Sequence, residues 1–219
     1  MFPSLRLIDD CEPRGAAMNM AVDEALLLNA PAPLLRVYRW KCPAVSFGYF
    51  EHYEVVTQLY PHLELVRRWT GGGIVPHGED TTYSLIAPRS SRFFNVSVSE
   101  SYRLIHEAVA RVLARPGIEL RLAGEGTEAP SHGCFERAVR CDVVSGHMKV
   151  AGAAQRRSRA GLLHQGSIQN IAVPRTFSQL LAQELSAEIV ARSLVPNEVE
   201  AAVVLCDGKY GTDAWLKRL

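Results

Sequence analysis

Three short segments concentrate the residue types that do chemistry. The first, Arg67-Arg68-Trp69-Thr70-Gly71-Gly72-Gly73, is followed by His77, Asp80 and Thr82-Tyr83-Ser84. Three successive glycines remove every Cβ from a stretch of backbone, so its N–H groups can close on a ligand, and two arginines upstream add positive charge. An anionic or carbonyl-bearing ligand suits such a loop; so does an ordinary turn after a strand. The spacing matches neither the G-x-x-x-x-G-K-[ST] nor the G-x-G-x-x-G nucleotide motif. The second segment is Gly146-His147-Met148-Lys149-Val150-Ala151-Gly152-Ala153-Ala154-Gln155-Arg156-Arg157. A lysine entering a strand of small residues places its ammonium where alanine and glycine leave room for a ligand chain. The third is Gly133-Cys134-Phe135, just beyond the loop Ala129 to Gly133. A cysteine in a polar, glycine-flanked loop can be exposed, and a nearby lysine or histidine lowers its pKa and readies a thiolate that forms a thioester. Taken singly, Lys149 also fits a solvated edge strand and Cys134 a buried, inert thiol.

Several elements must position these segments. Residues 17–29 carry apolar side chains at helical spacing, and Pro31 ends the helix. LLRVYRW and AVSFGYF read as strands separated by Cys42-Pro43. Leu63 to Arg68 and Thr82 to Ala87 read as two further strands, paired with each other and framing the glycine loop. Ser99 to Leu113 is a helix that Pro116-Gly117 stops, and 176–192 and 196–206 read as two closing helices. Between them lie strand-like pieces at Glu119 to Leu122, Cys141 to Val144 and Lys149 to Ala153, the last two joined at Ser145-Gly146. Helices mixed with largely antiparallel strands make an α+β domain.

The 219 residues have a hydrophobic fraction of 47%, with 24 basic against 23 acidic residues, which suits one globular domain spanning 1–219 and leaves no global footprint for nucleic acid. With no leader-like start and no long apolar run, a cytoplasmic protein away from membranes is expected. The five cysteines are odd in number and form no C-x-x-C pair, so no metal site is expected.

Taken in order, these segments resemble the lipoate–protein ligase and octanoyltransferase family, whose fold is shared with the catalytic domain of biotin–protein ligases. The family pattern is similar to R-R-x-[ST]-G-G-G-x-V-x-H, then G-x-K-[IV]-x-G-x-A-Q-R, then L-H-x-G-[ST]. Here these are Arg67 to His77, Gly146 to Arg156 and Leu163-His164-Gln165-Gly166-Ser167. Weaker echoes are Asn19-Met20-Ala21, Asp23 to Leu26, Tyr38-Arg39-Trp40, Ser46-Phe47-Gly48, Lys209-Tyr210 and Trp215-Leu216. Glu51, Gly78 and Cys141 depart from the pattern; Cys141 is a minor rival for the thiol role. The resemblance implies a mixed, largely antiparallel sheet flanked by helices, without a C-terminal accessory domain.

In one class of the family's octanoyltransferases a Cys-Phe dipeptide precedes the motif lysine, as Cys134-Phe135 precedes Lys149 here. The resemblance therefore implies a catalytic pair of Cys134 and Lys149, with Arg68, Gly71, Gly72, Gly73, His77, Gly152 and His164 holding substrate. Cys134 would take octanoyl from acyl carrier protein as a thioester and pass it to a lysine of a lipoyl domain or the glycine-cleavage H protein, with no cofactor. His77 and His164 would shape the pocket or move the amine's proton, and Trp69, Val75, Val150, Ala151 and Ala153 would line an acyl tunnel. Three alternatives stay open. These are an ATP- and Mg-dependent lipoate–protein ligase, an amidotransferase moving octanoyl between protein lysines, and a non-catalytic acyl or biotinoyl binding protein.

Overall fold

The structure, a computed structural model, describes residues 1–124 and 138–218. Its centre is a pair of strands buried along their whole length, β6 (Thr81–Pro88) and β10 (Gly161–Ile168). They run antiparallel, with Gly161 opposite Pro88 and Ile168 opposite Thr81. Burial on both faces requires a layer on each side of the sheet. Around this pair the large sheet includes β1 (Phe2–Arg14), β2 (Leu34–Trp40), β7 (Arg121–Leu122), β8 (Val143–Ser145), β9 (Met148–Arg157) and β11 (Ser186–Ala191), in the order β11-β1-β2-β6-β10-β9-β8-β7. A smaller sheet holds β3 (Ala44–Phe47) between β4 (Glu64–Arg67) and β5 (Ile74–His77).

One face of the large sheet carries α1 (Ala16–Asn29), packed by α5 (Pro196–Leu205). Helix α1 is buried on nearly every side, from Ala16 through Leu27, which is why its apolar residues do not form a single stripe. The other face carries α3 (Val98–Leu113) and α4 (Phe177–Leu185). Helix α3 is amphipathic, burying Ile105, Ala108, Val109 and Leu113, and Ser97 caps it by accepting from the Glu100 N–H at 3.2 Å. Two short helices, α2 (Tyr53–Leu59) and α6 (Asp213–Leu216), flank the small sheet.

The α+β class with a mixed, helix-flanked sheet stands, and three local expectations are corrected. Residues 176–192 are not one helix: α4 stops at Leu185, and β11 then pairs parallel with β1. The alternation in Ser186–Ala191 suits an edge strand, and pairing with the far end of the chain outweighs local helix continuation. The segments 63–68 and 82–87 do not pair with each other. Strand β4 runs parallel to β3, whereas β6 sits in the large sheet between β2 and β10. The expected strand Glu119 to Leu122 shortens to Arg121–Leu122. No helix among the described residues is long and apolar enough to cross a membrane.

Candidate functional site

Between the two sheets lies a narrow, partly open cleft with about 30 Å³ of free volume. Met20 of α1, Tyr38 and Trp40 of β2 and Val75 of β5 make its apolar wall, and Gly152 to Ala154 of β9 leave the opposite side free of bulk. Its polar groups are Ser46, Arg68, His77, Thr82, Gln165 and Ser167. A narrow, mostly apolar cleft with few fixed polar groups suits a ligand that is mostly hydrocarbon.

The glycine loop closes one side. Arg68, 5% exposed, donates from Nη2 to the carbonyls of Gly73 (2.7 Å) and Gly71 (3.1 Å), which fixes the loop's course. Gly72 has φ +81°, and a Cβ on it would press on Ala154, so glycine is needed here for both backbone and space. Gly48 is required from below, because a Cβ there would collide with the Gly72 carbonyl. Arg68 Nη1 also donates to Ser46 Oγ at 2.7 Å, and Ser46 Oγ lies 2.6 Å from His77 Nε2. His77 Nδ1 lies 2.7 Å from Asp80 Oδ2, which also accepts from Ser167 (2.7 Å) and Thr82 (2.9 Å). Burial pushes His77 below its ordinary value despite Asp80, and although burial opposes it, the bonds from His77, Ser167 and Thr82 hold the Asp80 carboxyl below its own. The ring is therefore neutral, with Nδ1–H donating to Asp80 and the Nε2 lone pair turned to the Ser46 hydroxyl. Trp40 stacks on it with centroids 3.9 Å apart and donates from Nε1 to Thr82.

Lys149 is buried beside the same cleft. Its Nζ is 2.8 Å from Asp142 Oδ2, with the side chains 2% and 3% exposed. The lysine's terminal carbon and nitrogen occupy the place a Cβ on Gly152 would take, so the cleft-lining Gly152 is what lets the ammonium lie there. Asp142 enters the hairpin of β8 and β9, in which Val144 faces Lys149 and Val143 faces Ala151 across a bulge. This acid was missed as a site residue; the signal in the chain is a carboxylate one residue before a strand whose hairpin partner carries a lysine.

The expected substrate residues divide between two faces. Arg68, Gly71 to Gly73, His77 and Gly152 gather on the cleft or on the loop that closes it. His164 does not join them. Along β10 alternate residues point to opposite faces, so Gln165 and Ser167 reach the cleft while His164 faces α3. Its Nδ1 is 2.9 Å from Gln155 Nε2, its Nε2 is 3.4 Å from Tyr83 Oη, and its ring is 5.4 Å from that of His106. Burial, aided by His106, holds it well below the ordinary histidine value. Of the expected tunnel residues, Val75 and Ala153 line the cleft, Val150 and Ala151 pack in the core under α3, and Trp69 sits on the rim. There Arg156 lies 4.4 Å over the Trp69 ring and Lys209 lies 4.7 Å over it, while Arg218 covers Tyr49 at 4.1 Å.

Several weaker motif positions prove to be framework. Arg36 is fully buried and bonded to Asp10, Asp23 and Asn19, and Asp23 accepts in turn from Gln165 at 2.7 Å. Thr70 of the glycine loop donates to Gln165 at 2.8 Å, so this network ties α1 to the loop. Lys209 and Tyr210 both donate to Glu24. Cys134 and Phe135 lie outside the described residues. Cys141, the rival thiol, is 7% exposed, has φ +73°, and its thiol is pushed up by burial, which disfavours the thiolate. Among the described residues no cluster could hold a metal ion.

The family model for the lipoyl protein ligase A/B catalytic domain matches residues 15–204. The octanoyltransferase LipM of Oceanobacillus iheyensis is 36% identical over 165 residues, covering 71% of this chain and 60% of that protein, so the chain spans about three-fifths of that relative's length. Solved structures align over all of this chain. A T. acidophilum protein with bound lipoic acid has a TM-score of 0.76 at 22% identity over all of its own length. The bipartite lipoate protein ligase of Thermoplasma acidophilum, described with its E2 lipoyl domain, has a TM-score of 0.67 at 23% identity over 98% of its length. At these identities the structures establish the fold alone. Together with the cleft and the three ordered motifs, the match over most of the sequence shows that the chain belongs to the lipoyl protein ligase A/B catalytic-domain family.

Proposed function

We propose that this protein is an octanoyltransferase of lipoate biosynthesis that moves octanoyl from acyl carrier protein to a lysine of a lipoyl domain or the glycine-cleavage H protein through a Cys134 thioester. The observation that carries the reading is the buried Lys149 ammonium laid along Gly152 beside a mostly apolar cleft. An acyl chain in the cleft would bring its carbonyl toward a fixed positive charge, where the charge developing on oxygen is stabilised. The relative's printed name and the Cys134-Phe135 dipeptide support transfer over ligation.

In the first half-reaction the Cys134 thiolate attacks the donor thioester, forming the new S–C bond and releasing the carrier thiol. In the second, the acceptor lysine amine attacks the enzyme thioester; the N–C bond forms and Cys134 leaves as thiolate. The amine's proton passes to Ser46 as the Ser46 hydroxyl proton moves to the His77 Nε2 lone pair it already faces, with Asp80 on Nδ1 holding the ring, a relay on the cleft wall. His164, engaged on the opposite face, takes no part.

Incubation of octanoyl-acyl carrier protein with an apo lipoyl domain, without nucleotide, tests the reading. Octanoyl-lysine should form on the acceptor, and free octanoate or lipoate with ATP and Mg²⁺ should give none. One observation favours the ATP-dependent ligase: the rim of Trp69, Tyr49 and Trp215 with Arg156, Lys209 and Arg218 could stack and neutralise a nucleotide. Product formed only with ATP and free acid would establish that alternative.

A further inference from the structure

The reaction proposed above delivers an acyl group from sulfur to a lysine nitrogen, and its site already contains a lysine. With its ammonium laid along the cleft-lining Gly152, Lys149 would lie within reach of an acyl carbonyl seated there, so proximity alone would make it a competing acceptor. Attack by Lys149 would form an Nζ–C bond, break the S–C bond, and return the amine's proton to the departing Cys134 thiolate. The product is an inert amide and needs no other reactant. On the premise of that reading, we propose that Asp142 is a positioning residue that protects the enzyme from its own intermediate, holding Lys149 as a paired ammonium so that octanoyl passes only to the partner's lysine.

An ammonium paired to a carboxylate has no lone pair to attack with, and Asp142 places a carboxylate oxygen 2.8 Å from Nζ. The corner carrying the carboxylate is fixed from several directions. The Val139 N–H donates to Asp142 Oδ2 at 2.7 Å, and the Asp142 N–H donates to the Val139 carbonyl at 2.9 Å. The Ala123 N–H donates to the Asp142 carbonyl (2.8 Å), and the Cys141 N–H donates to the Ala123 carbonyl (3.0 Å). Cys141 is held in the left-handed region at φ +73°, and buried His106 donates from Nδ1 to its carbonyl at 2.5 Å. A buried ion pair is a poor device for stability, because desolvation consumes most of its attraction. A pair this firmly placed beside the proposed acyl site is better explained by the charge state it imposes on the lysine.

The test incubates wild type, Asp142→Asn, Asp142→Glu and Asp142→Asn/Lys149→Arg with octanoyl-acyl carrier protein and no acceptor. Hydroxylamine treatment and peptide mapping by mass spectrometry then locate the acyl group. Wild type and Asp142→Glu should carry only hydroxylamine-labile octanoyl. Asp142→Asn should accumulate a hydroxylamine-resistant octanoyl on Lys149 at least roughly tenfold faster than wild type, and the double variant should not. A labile adduct on Cys134 with Lys149 of Asp142→Asn left unmodified would overturn the inference and leave the transferase reading intact. Resistant octanoyl on wild-type Lys149 would overturn it too, whether or not the variants fold. A wild type that takes up no labile octanoyl contradicts the transferase reading, and the inference falls with it.

Discussion

The two faces of the central sheet treat the same residue types in opposite ways. Toward α1, Gln165 and Ser167 of β10 join His77, Asp80 and Arg68 in a hydrogen-bonded wall around a cleft. Toward α3, one residue away along the same strand, His164 is packed among Tyr83, Tyr102 and His106 and bonded to Gln155. Both histidines are buried and neutral, yet only His77 faces space a ligand can occupy. In a strand the face decides, and a motif that spans both faces mixes chemistry with framework.

The largest effect that would sharpen this contrast is at Lys149. Lys149→Ala should lower kcat by about 10²–10³, whereas His164→Asn should leave kcat within about threefold and cost roughly 1–3 kcal/mol of stability; steady-state transfer assays and urea melts separate the two. Next is Gly152→Ala. Its Cβ would take the space of the lysine's terminal atoms, so kcat should fall by about 10–10² through misplacement, with the urea midpoint much less affected. Arg68→Lys keeps the charge but not the fork that spans Ser46 and two glycine-loop carbonyls, and should raise KM by about tenfold.

The smallest effect is on pH dependence. Burial holds His77, His106 and His164 below the ordinary histidine value, so near and below about pH 6.5 the unfolded chain binds more protons than the folded one. Stability is thus fully present above that range and lost as pH falls through it, by up to about 1.4 kcal/mol per pH unit for each histidine. Asp80, held low, adds a loss only under more acidic conditions, below about pH 4. Urea midpoints measured from pH 7.5 to 5.5 should decline, and His164→Gln should flatten the decline by about a third; midpoints that stay level would contradict the burial argument.

Much of the architecture is legible from periodicity and punctuation. Residues 17–29 and 99–113 are helices within a residue or so of their expected bounds, because local apolar spacing and the prolines after them act on neighbouring residues. The misreadings are non-local. Strand β11 exists because the chain returns to β1, and β4 pairs with β3 rather than with β6. No local pattern encodes those partners. The site divides the same way. Type and spacing single out the glycine loop, His77, Lys149 and Gly152, and the structure brings them to one cleft. Asp142 and Ser46 come to it through contacts across a hairpin and between strands, and alternation along β10 turns His164 to the opposite face of the sheet.

The central claim is an acyl-thioester on Cys134 formed beside a charged Lys149. Intact-protein mass spectrometry after mixing with octanoyl-acyl carrier protein and no ATP tests it most directly, comparing wild type, Cys134→Ala and Cys141→Ala. The account predicts a hydroxylamine-labile octanoyl adduct in wild type and Cys141→Ala that is absent from Cys134→Ala. An adduct that persists in Cys134→Ala, or none in any of the three, would contradict it and make the ATP-dependent ligase the leading reading.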